Sequence, residues 1–418
     1  MTFINKDKNK NIGIDISNLS PDFYGGIDTY LNGILSGFSN GFKNYNFQIY
    51  VDNNYFEKRR KNLIFKKNFK YLKVSNGLRE KLLLKVYNRL LPYLFFVNKH
   101  TKLNMEFHLK NFIYSKFKKL AEESSDVLIS PNVVLKCYNL KIPTLLNMHD
   151  IQHVHFPSYF DYEERKRRDL QYYNSAYFAS KNIASGEFIK KDFIKQFPFL
   201  KNKITVIHEG IDIKNISKKV NSKKLKKYFK KIKIYRKKFL FLPAQLWLHK
   251  NHITVLKGIK LLNEKNNVDI KLVMCGQRYK KTEYIFEFIK KNNLKNVIYL
   301  GIINKQSLRW CLQNSLATIC PALYESSSLV NMEAICAKTA VVSSDIPTNL
   351  EKKKFFKVNI FKKKSPLSFS NQILKLIRDK NVSTNQIKYN SKNIKYYDWK
   401  NVSKKYLNEA IKIINENK

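Results

Sequence analysis

The chain has 418 residues, 44% of them hydrophobic, enough to pack the cores of two ordinary domains. Lysine and arginine total 79 against 32 aspartates and glutamates, a formal net charge of +47 that favours anionic partners and says nothing about fold. Five scattered cysteines (Cys137, Cys275, Cys311, Cys320, Cys336) speak against a disulfide framework or zinc site, and no apolar run reaches membrane-spanning length, the nearest (82–97) being broken by Lys85, Arg89 and Pro92.

Asn, Ile, Phe and Tyr are abundant beside only 12 Gly and 10 Pro. That is the profile of AT-rich codon drift, so mutational bias stays open as one source of the charge. The first residues run directly toward an apolar strand and show no signal-peptide hydrophobic region, so a cytosolic chain with reduced thiols is expected.

In chain order, 11–17 reads as a buried first strand, followed by a loop with Gly25 and Gly26 and an amphipathic helix through 30–38. Residues 47–51 read as the next strand. The stretch 57–120 is basic, aromatic-rich and expected to be mostly helical. Short apolar strands follow at 126–130, 143–148, 182–185 and 204–207, alternating with helical text. The lysine-dense stretch 214–238 reads as a domain junction. A second alternating series then runs through 239–243, 270–275, 297–300, 316–320 and 340–343, and a helix at about 399–416 ends the chain. Strands alternating with helices predict an α/β chain of two doubly wound parallel-sheet domains, with ligands at the carboxyl ends of the strands in a cleft where the two face each other. The expected division is 1–213, 214–395, and a closing helix 396–418 that crosses back onto the first domain.

The most informative stretch is 321–334, where Glu325 and Glu333 bracket Ser326, Ser327, Ser328 and Leu329 between two apolar strands. At a helix start, the amides of 326–329 could hold a phosphate. Eight helical residues would span about 12 Å, enough for one carboxylate to meet a sugar and the other a ribose across a diphosphate. A capped helix with two solvated glutamates explains the same residues. Gly25 and Gly26 permit close backbone approach to a phosphate or sugar, or are simply loop glycines. His149 ends a strand and is placed to donate a hydrogen bond to a substrate oxygen. His153 and His155 lack a convincing ligand set for a metal. Lys250, in the turn after the 239–243 strand, could neutralise a diphosphate as a point charge, although a lysine in so basic a chain is ordinarily a surface group. Asp161 and Glu163 read as a solvated face. In 57–120, cations beside Leu, Tyr and Phe suit a helix resting on an anionic leaflet, and equally a drift-inflated surface.

Taken in this order, the segments resemble the family-four glycosyltransferases, retaining enzymes of the GT-B fold, over essentially the whole chain. The most specific part is 300–351, with Glu325 and Glu333 at the family's spacing. Residues 243–252, containing Gln245 and Lys250, resemble its Lys-Asn motif; 206–212 resemble the signature closing the acceptor domain; 149–157 and 184–187 are similar to N-domain segments. The resemblance implies a nucleotide-diphosphate sugar on the C-terminal domain and a lipid-linked or envelope glycan acceptor (lipopolysaccharide, O-antigen or capsule type) on the N-terminal one. By the same resemblance Glu333 would hold the ribose hydroxyls, Glu325 the sugar hydroxyls, and Lys250 with the 326–329 amides the departing diphosphate. His149 would contact the donor sugar and Gly26 would border the diphosphate. No metal or other cofactor is implied. The family's Gly-Phe-Gly is here Ser326-Ser327-Ser328, and Gln245 stands where many members have a phosphate-pairing arginine, which places more of that load on Lys250.

The expectation is a metal-independent hexosyltransferase of a bacterium with AT-rich DNA, peripheral on the inner face of the cytoplasmic membrane through 57–120. A nucleotide-sugar epimerase of the same fold is the alternative enzyme. A nucleic-acid-binding protein would need a recognition motif, and none is present.

Overall fold

The computed structural model describes residues 10–19, 26–39, 41–74, 77–101, 104–279 and 282–417. The chain forms two compact units, Met1–Gly210 with Trp399–Lys418, and Ile211–Asp398. Each is a doubly wound parallel sheet with helices on its faces, the fold class expected from the strand–helix alternation.

The first unit holds seven strands: β1 (Asn11–Asp15), β2 (Asn46–Asp52), β3 (Phe69–Val74), β4 (Val127–Ser130), β5 (Thr144–Met148), β6 (Lys181–Ala184) and β7 (Ile204–Val206). Their order is β3-β2-β1-β4-β5-β6-β7, and every pairing is parallel. Parallel strands covered on both faces read as near-continuous apolar runs, which is why β1, β4 and β5 were conspicuous. One face is covered by the helix Gly26–Ser39 and the closing helix Trp399–Glu416, with Tyr30, Ile34 and Phe38 packed among Trp399, Val402, Tyr406 and Ala410. These two helices approach closely because Gly33 and Gly37 lack side chains: a Cβ on either would lie 2.0 Å from an atom of Trp399 or Ser403. On the other face the helix Ser115–Ser124 buries Phe117 and Ala121 against Tyr50, Val74 and Leu128.

The basic stretch 57–120 departs from the helical expectation at one place. Helices Leu78–Thr101, Met105–Ile113 and Ser115–Ser124 occupy most of it, but β3 lies inside it. This edge strand buries Phe69 and Val74, which an odd spacing puts on opposite faces, and exposes Lys70 and Lys73, so no period-2 alternation marks it; edge lysines are a common way of guarding a sheet edge.

The second unit holds β8 (Phe239–Pro243), β9 (Lys271–Cys275), β10 (Val297–Tyr299), β11 (Ala317–Cys320), β12 (Ala340–Ser344) and β13 (Asn359–Phe361), in the parallel order β10-β9-β8-β11-β12-β13. Two apolar layers cover the sheet, one built on Leu240, Leu256, Leu272 and Phe369, the other on Phe239, Val273, Trp310 and Val341. The lysine-dense stretch lies in this unit: the helix Lys223–Lys231 turns Phe229 inward to stack on Trp310 at 4.0 Å between ring centroids, and leaves its lysines outside. The five thiols are unpaired. Strand order reverses between β8 and β11, so the loops leaving those strands diverge to opposite sides and open a crevice at their carboxyl ends.

Candidate active site

The loop after β8 carries Gln245, Trp247 and Lys250, and the loop after β11 carries Glu325 to Ser328. They are fastened together at the switch point. The Leu323 amide donates to the His249 carbonyl at 2.7 Å. Asn251, in the left-handed region at φ 55°, donates through Nδ2 to the Pro321 carbonyl at 3.0 Å and accepts from Thr254 Oγ1 at 2.8 Å. Asn tolerates that backbone conformation better than most residues, and here its side chain also ties the two loops. Asn251 is thus a positioning residue, visible in the sequence only as the partner of Lys250 in the Lys-Asn motif.

Across this junction Lys250 Nζ donates to Glu325 Oε1 at 2.5 Å, both side chains being partly buried. His249 and His252 flank the lysine. Burial first, and the Lys250 charge second, push their imidazoles down to about 3 and about 4, so both are neutral at pH 7. Lys250 is therefore the positive charge of this turn. Gln245 accepts the Gln277 amide at 2.7 Å, which joins the loops after β8 and β9. Trp247 lies between His249 and Tyr279, at 5.4 and 6.0 Å between ring centroids.

The helix after β11 runs Leu329–Cys336 with Ser328 as its N-cap. Ser326 and Ser327 thus belong to the loop, and of the four residues expected at the helix start only Ser328 and Leu329 stand there. The spacing from Glu325 to Glu333 is correspondingly not eight helical residues: loop occupies its first half. Ser328 adopts φ 47°, ψ 52°, a conformation ordinarily reserved for glycine. It is held by Oγ, which donates to Asn349 Oδ1 at 2.7 Å; Asn331 Nδ2 donates to the same oxygen at 2.9 Å. Asn331 accepts from Ser343 Oγ, and Asn349 donates to the Ser344 carbonyl, so the helix start is tied to the end of β12.

Glu333, on the first turns of that helix, has its carboxyl pushed up to about 7 by burial. The Cys320 thiol at the end of β11 is raised by burial first, then by the charge of Glu325, with Lys250 opposing and Glu333 adding to the rise. Lys250 and Glu325 thus meet beyond the carboxyl end of β11, and Glu333 stands on the helix that follows it. A cation and a carboxylate meet there, on the loop that leads into a helix start, a combination with the chemistry to hold an anionic, hydroxyl-bearing ligand.

In the first unit, His149 follows β5 and is buried. Its Nε2 lies 2.8 Å from the Pro131 carbonyl and its Nδ1 3.7 Å from Glu209 Oε1. Burial alone would push the imidazole down, but the Glu209 carboxylate and the Pro131 carbonyl outweigh it and raise the ring above its ordinary value. Tyr30 packs edge-on against His149 at 5.3 Å between centroids, and its hydroxyl continues through Tyr406 to Asn147. Glu209 was not singled out from the sequence; its place in 206–212 was the only signal. Gly26 opens the first helix with no atom within 4 Å of where a Cβ would stand, so nothing in its surroundings requires glycine. Gly25 lies outside the described residues. His153 and His155 pair with separate carboxylates, Asp169 at 3.2 Å and Asp192 at 2.7 Å. Asp161 and Glu163 are exposed. Among the described residues no group of three or more His, Cys, Asp or Glu side chains is placed to hold a metal ion.

Residues 224–393 match the family described as Glycosyl transferases group 1. No curated protein matches the sequence. Solved structures match over nearly the full length of both partners. HepE of Anabaena in complex with UDP-glucose is 13% identical, over 96% of this chain and 99% of that one, at a TM-score of 0.68. Sucrose-phosphate synthase of Thermosynechococcus elongatus is 12% identical over 97% and 100%, at 0.71. A glycosyltransferase of Rickettsia africae is 11% identical over 98% and 99%, at 0.66. At such identities the likeness establishes the fold, which is of the GT-B class. The match at 224–393 takes in nearly all of the second unit, so it is that unit which is similar to the group 1 glycosyl transferases.

Proposed function

We propose that the protein is a retaining, metal-independent glycosyltransferase that moves a hexose from a nucleotide-diphosphate sugar to a lipid-linked or cell-envelope glycan. It would work as a peripheral protein on the inner face of a bacterial cytoplasmic membrane. The observation that carries the reading is the meeting of Lys250 and Glu325 at the β8/β11 switch point, beside a helix start and a carboxyl held near neutrality. That HepE was solved with UDP-glucose supports the donor class.

In this reading the donor diphosphate replaces Glu325 as the partner of Lys250. The lysine and the amides at the start of Leu329–Cys336 then stabilise negative charge on the leaving group as it develops. Glu325, released from the lysine, accepts hydrogen bonds from sugar hydroxyls. Glu333 takes the ribose diol, with which a carboxyl near its midpoint at pH 7 can both donate and accept. The bond between the anomeric carbon and the phosphate oxygen breaks, and the acceptor oxygen bonds to that carbon on the same face. The acceptor's hydroxyl proton passes to the departing phosphate.

The test is nucleoside diphosphate release from a panel of nucleotide sugars, with and without glycan-lipid extract, with the anomeric configuration of the product read by NMR. Transfer with retention, lowered at least about 100-fold in Glu325→Gln and Lys250→Ala, is expected. Inversion at the anomeric carbon would end the retaining assignment. Turnover without acceptor, giving an epimerised sugar, would establish the epimerase alternative. His149→Ala in the same assay measures the contribution of the first unit.

A further inference from the structure

The helix Leu78–Thr101 is apolar on two faces, about 130° apart around its axis. Its inner face places Tyr87, Leu91 and Leu94 in a buried cluster with Ile113 and Leu170. Its outer face exposes Leu82, Val86, Leu90, Tyr93, Phe96 and Val97, with Leu82 and Tyr93 65% and 69% accessible. At about 100° per residue these six share an arc of roughly 120° and a length of about 22 Å. Lys81 and Lys85, both exposed, line one flank of that arc, and Arg89, also exposed, stands just inside the same edge. The helix's acid, Glu80, is already paired with Lys116 at 2.9 Å. Next to the helix, Phe112 is 56% exposed with the Arg79 guanidinium 5.6 Å from its ring centroid, repeating the pairing of an exposed apolar side chain with a cation.

A contiguous apolar surface of this size needs an occupant. A helix burial face needs no cationic border, and an ordinary solvated face does not expose Leu, Tyr and Phe in register. A second copy of the chain would set the flank of Lys81, Lys85 and Arg89 against like charges in a molecule that already carries +47. No helix among the described residues is long and apolar enough to cross a membrane. An apolar strip bordered by cations is instead the pattern that lies in a lipid headgroup layer, with side chains inserted and cations on anionic lipid. We propose that the outer face of Leu78–Thr101 docks this protein, parallel to the surface, on an anionic lipid leaflet. This deepens the peripheral assignment by naming the element that makes the contact, and it does not depend on the donor chemistry.

The test is co-sedimentation of the full chain with vesicles of phosphatidylcholine alone or with 30% (about one third) phosphatidylglycerol. Binding to the anionic vesicles is expected. It should weaken about 100-fold in Lys81→Gln/Lys85→Gln/Arg89→Gln, at about fivefold per cation. In Leu82→Gln/Tyr93→Gln/Phe96→Gln it should weaken by at least about 100-fold. The altered side chains are exposed, so both variants should keep the parent's circular dichroism and melting temperature. No vesicle binding, binding undiminished in both variants, or a dimer dispersed by the apolar triple substitution without vesicle binding would each overturn the proposal. A chain that binds vesicles but transfers no sugar refutes the proposed function and leaves this inference standing.

Discussion

Lys250→Ala offers a test of the site whose sign, not only its size, follows from the structure. In the unliganded protein the lysine is committed to Glu325 at 2.5 Å. Removing it has two consequences for a nucleoside diphosphate. A charge-assisted contact worth about 2 kcal/mol is lost. The Glu325 carboxylate is also bared toward the incoming anion: one negative charge about 5 Å from it is repelled by on the order of 3 kcal/mol at an effective dielectric of 20. Solvent at a partly open site reduces the second figure, so a combined loss of about 3 kcal/mol, or about 100-fold in Kd, is expected. The Lys250→Ala/Glu325→Ala pair still lacks the contact but is free of the repulsion, so it should recover about fivefold of the lost affinity, the roughly 1 kcal/mol by which the combined loss exceeds the contact. Isothermal titration with the nucleoside diphosphate, which has no sugar for Glu325 to hold, isolates this effect. A double variant that binds as weakly as, or more weakly than, Lys250→Ala would refute the idea that the diphosphate takes the glutamate's place on the lysine.

Three further outcomes are expected. Glu333→Gln should leave stability unchanged below about pH 4.5 and raise it progressively through pH 7, because a carboxyl whose folded value lies near 7 favours the native state only while protonated; the rise from 4.5 to about 7 corresponds to at most about 3 kcal/mol, read by urea melts at pH 4, 6 and 8. Ser328→Ala keeps the left-handed backbone but loses the hydrogen bond to Asn349, and should cost about 1 kcal/mol in thermal melting, whereas Ser328→Gly loses the bond but relieves the backbone and should lie within about 0.5 kcal/mol of the parent. Gly33→Ala drives a methyl into the Trp399 ring of a closed core and should destabilise the first unit by about 2–3 kcal/mol, with Gly26→Ala as the neutral control.

The fold was legible because its central strands are buried on both faces. β1, β8, β11 and β12 are buried at nearly every position and are built mainly on Ile, Leu, Val, Phe and Ala, with no lysine or arginine among them. The strands missed, β3 and β13, are the outermost of their sheets. β3 carries lysines three positions apart, Lys70 and Lys73, inside a lysine-rich segment and so shows no alternation, and β13 has three residues, too few to show a period.

The site was legible to the extent that it is made of side chains standing at strand ends. Lys250 and Glu325 are 75 positions apart in sequence, yet each is a charged residue just beyond a buried strand, and the order reversal of the sheet brings those ends together. What could not be read was backbone. The helix after β11 begins at Leu329 rather than at Ser326 because the chain must first turn through a left-handed residue, and sequence marks such a turn plainly only when that residue is glycine. Here a serine fills the position, and Asn331 and Asn349 look like unremarkable polar residues until the Asn349 side-chain oxygen is seen accepting from both the Ser328 hydroxyl and the Asn331 amide. A three-residue hydrogen-bonded brace thus does by side-chain chemistry what glycine would do by conformational freedom. With serine rather than glycine at 328 the chain still makes this bend, and a helix start follows the loop that brings Glu325 to Lys250.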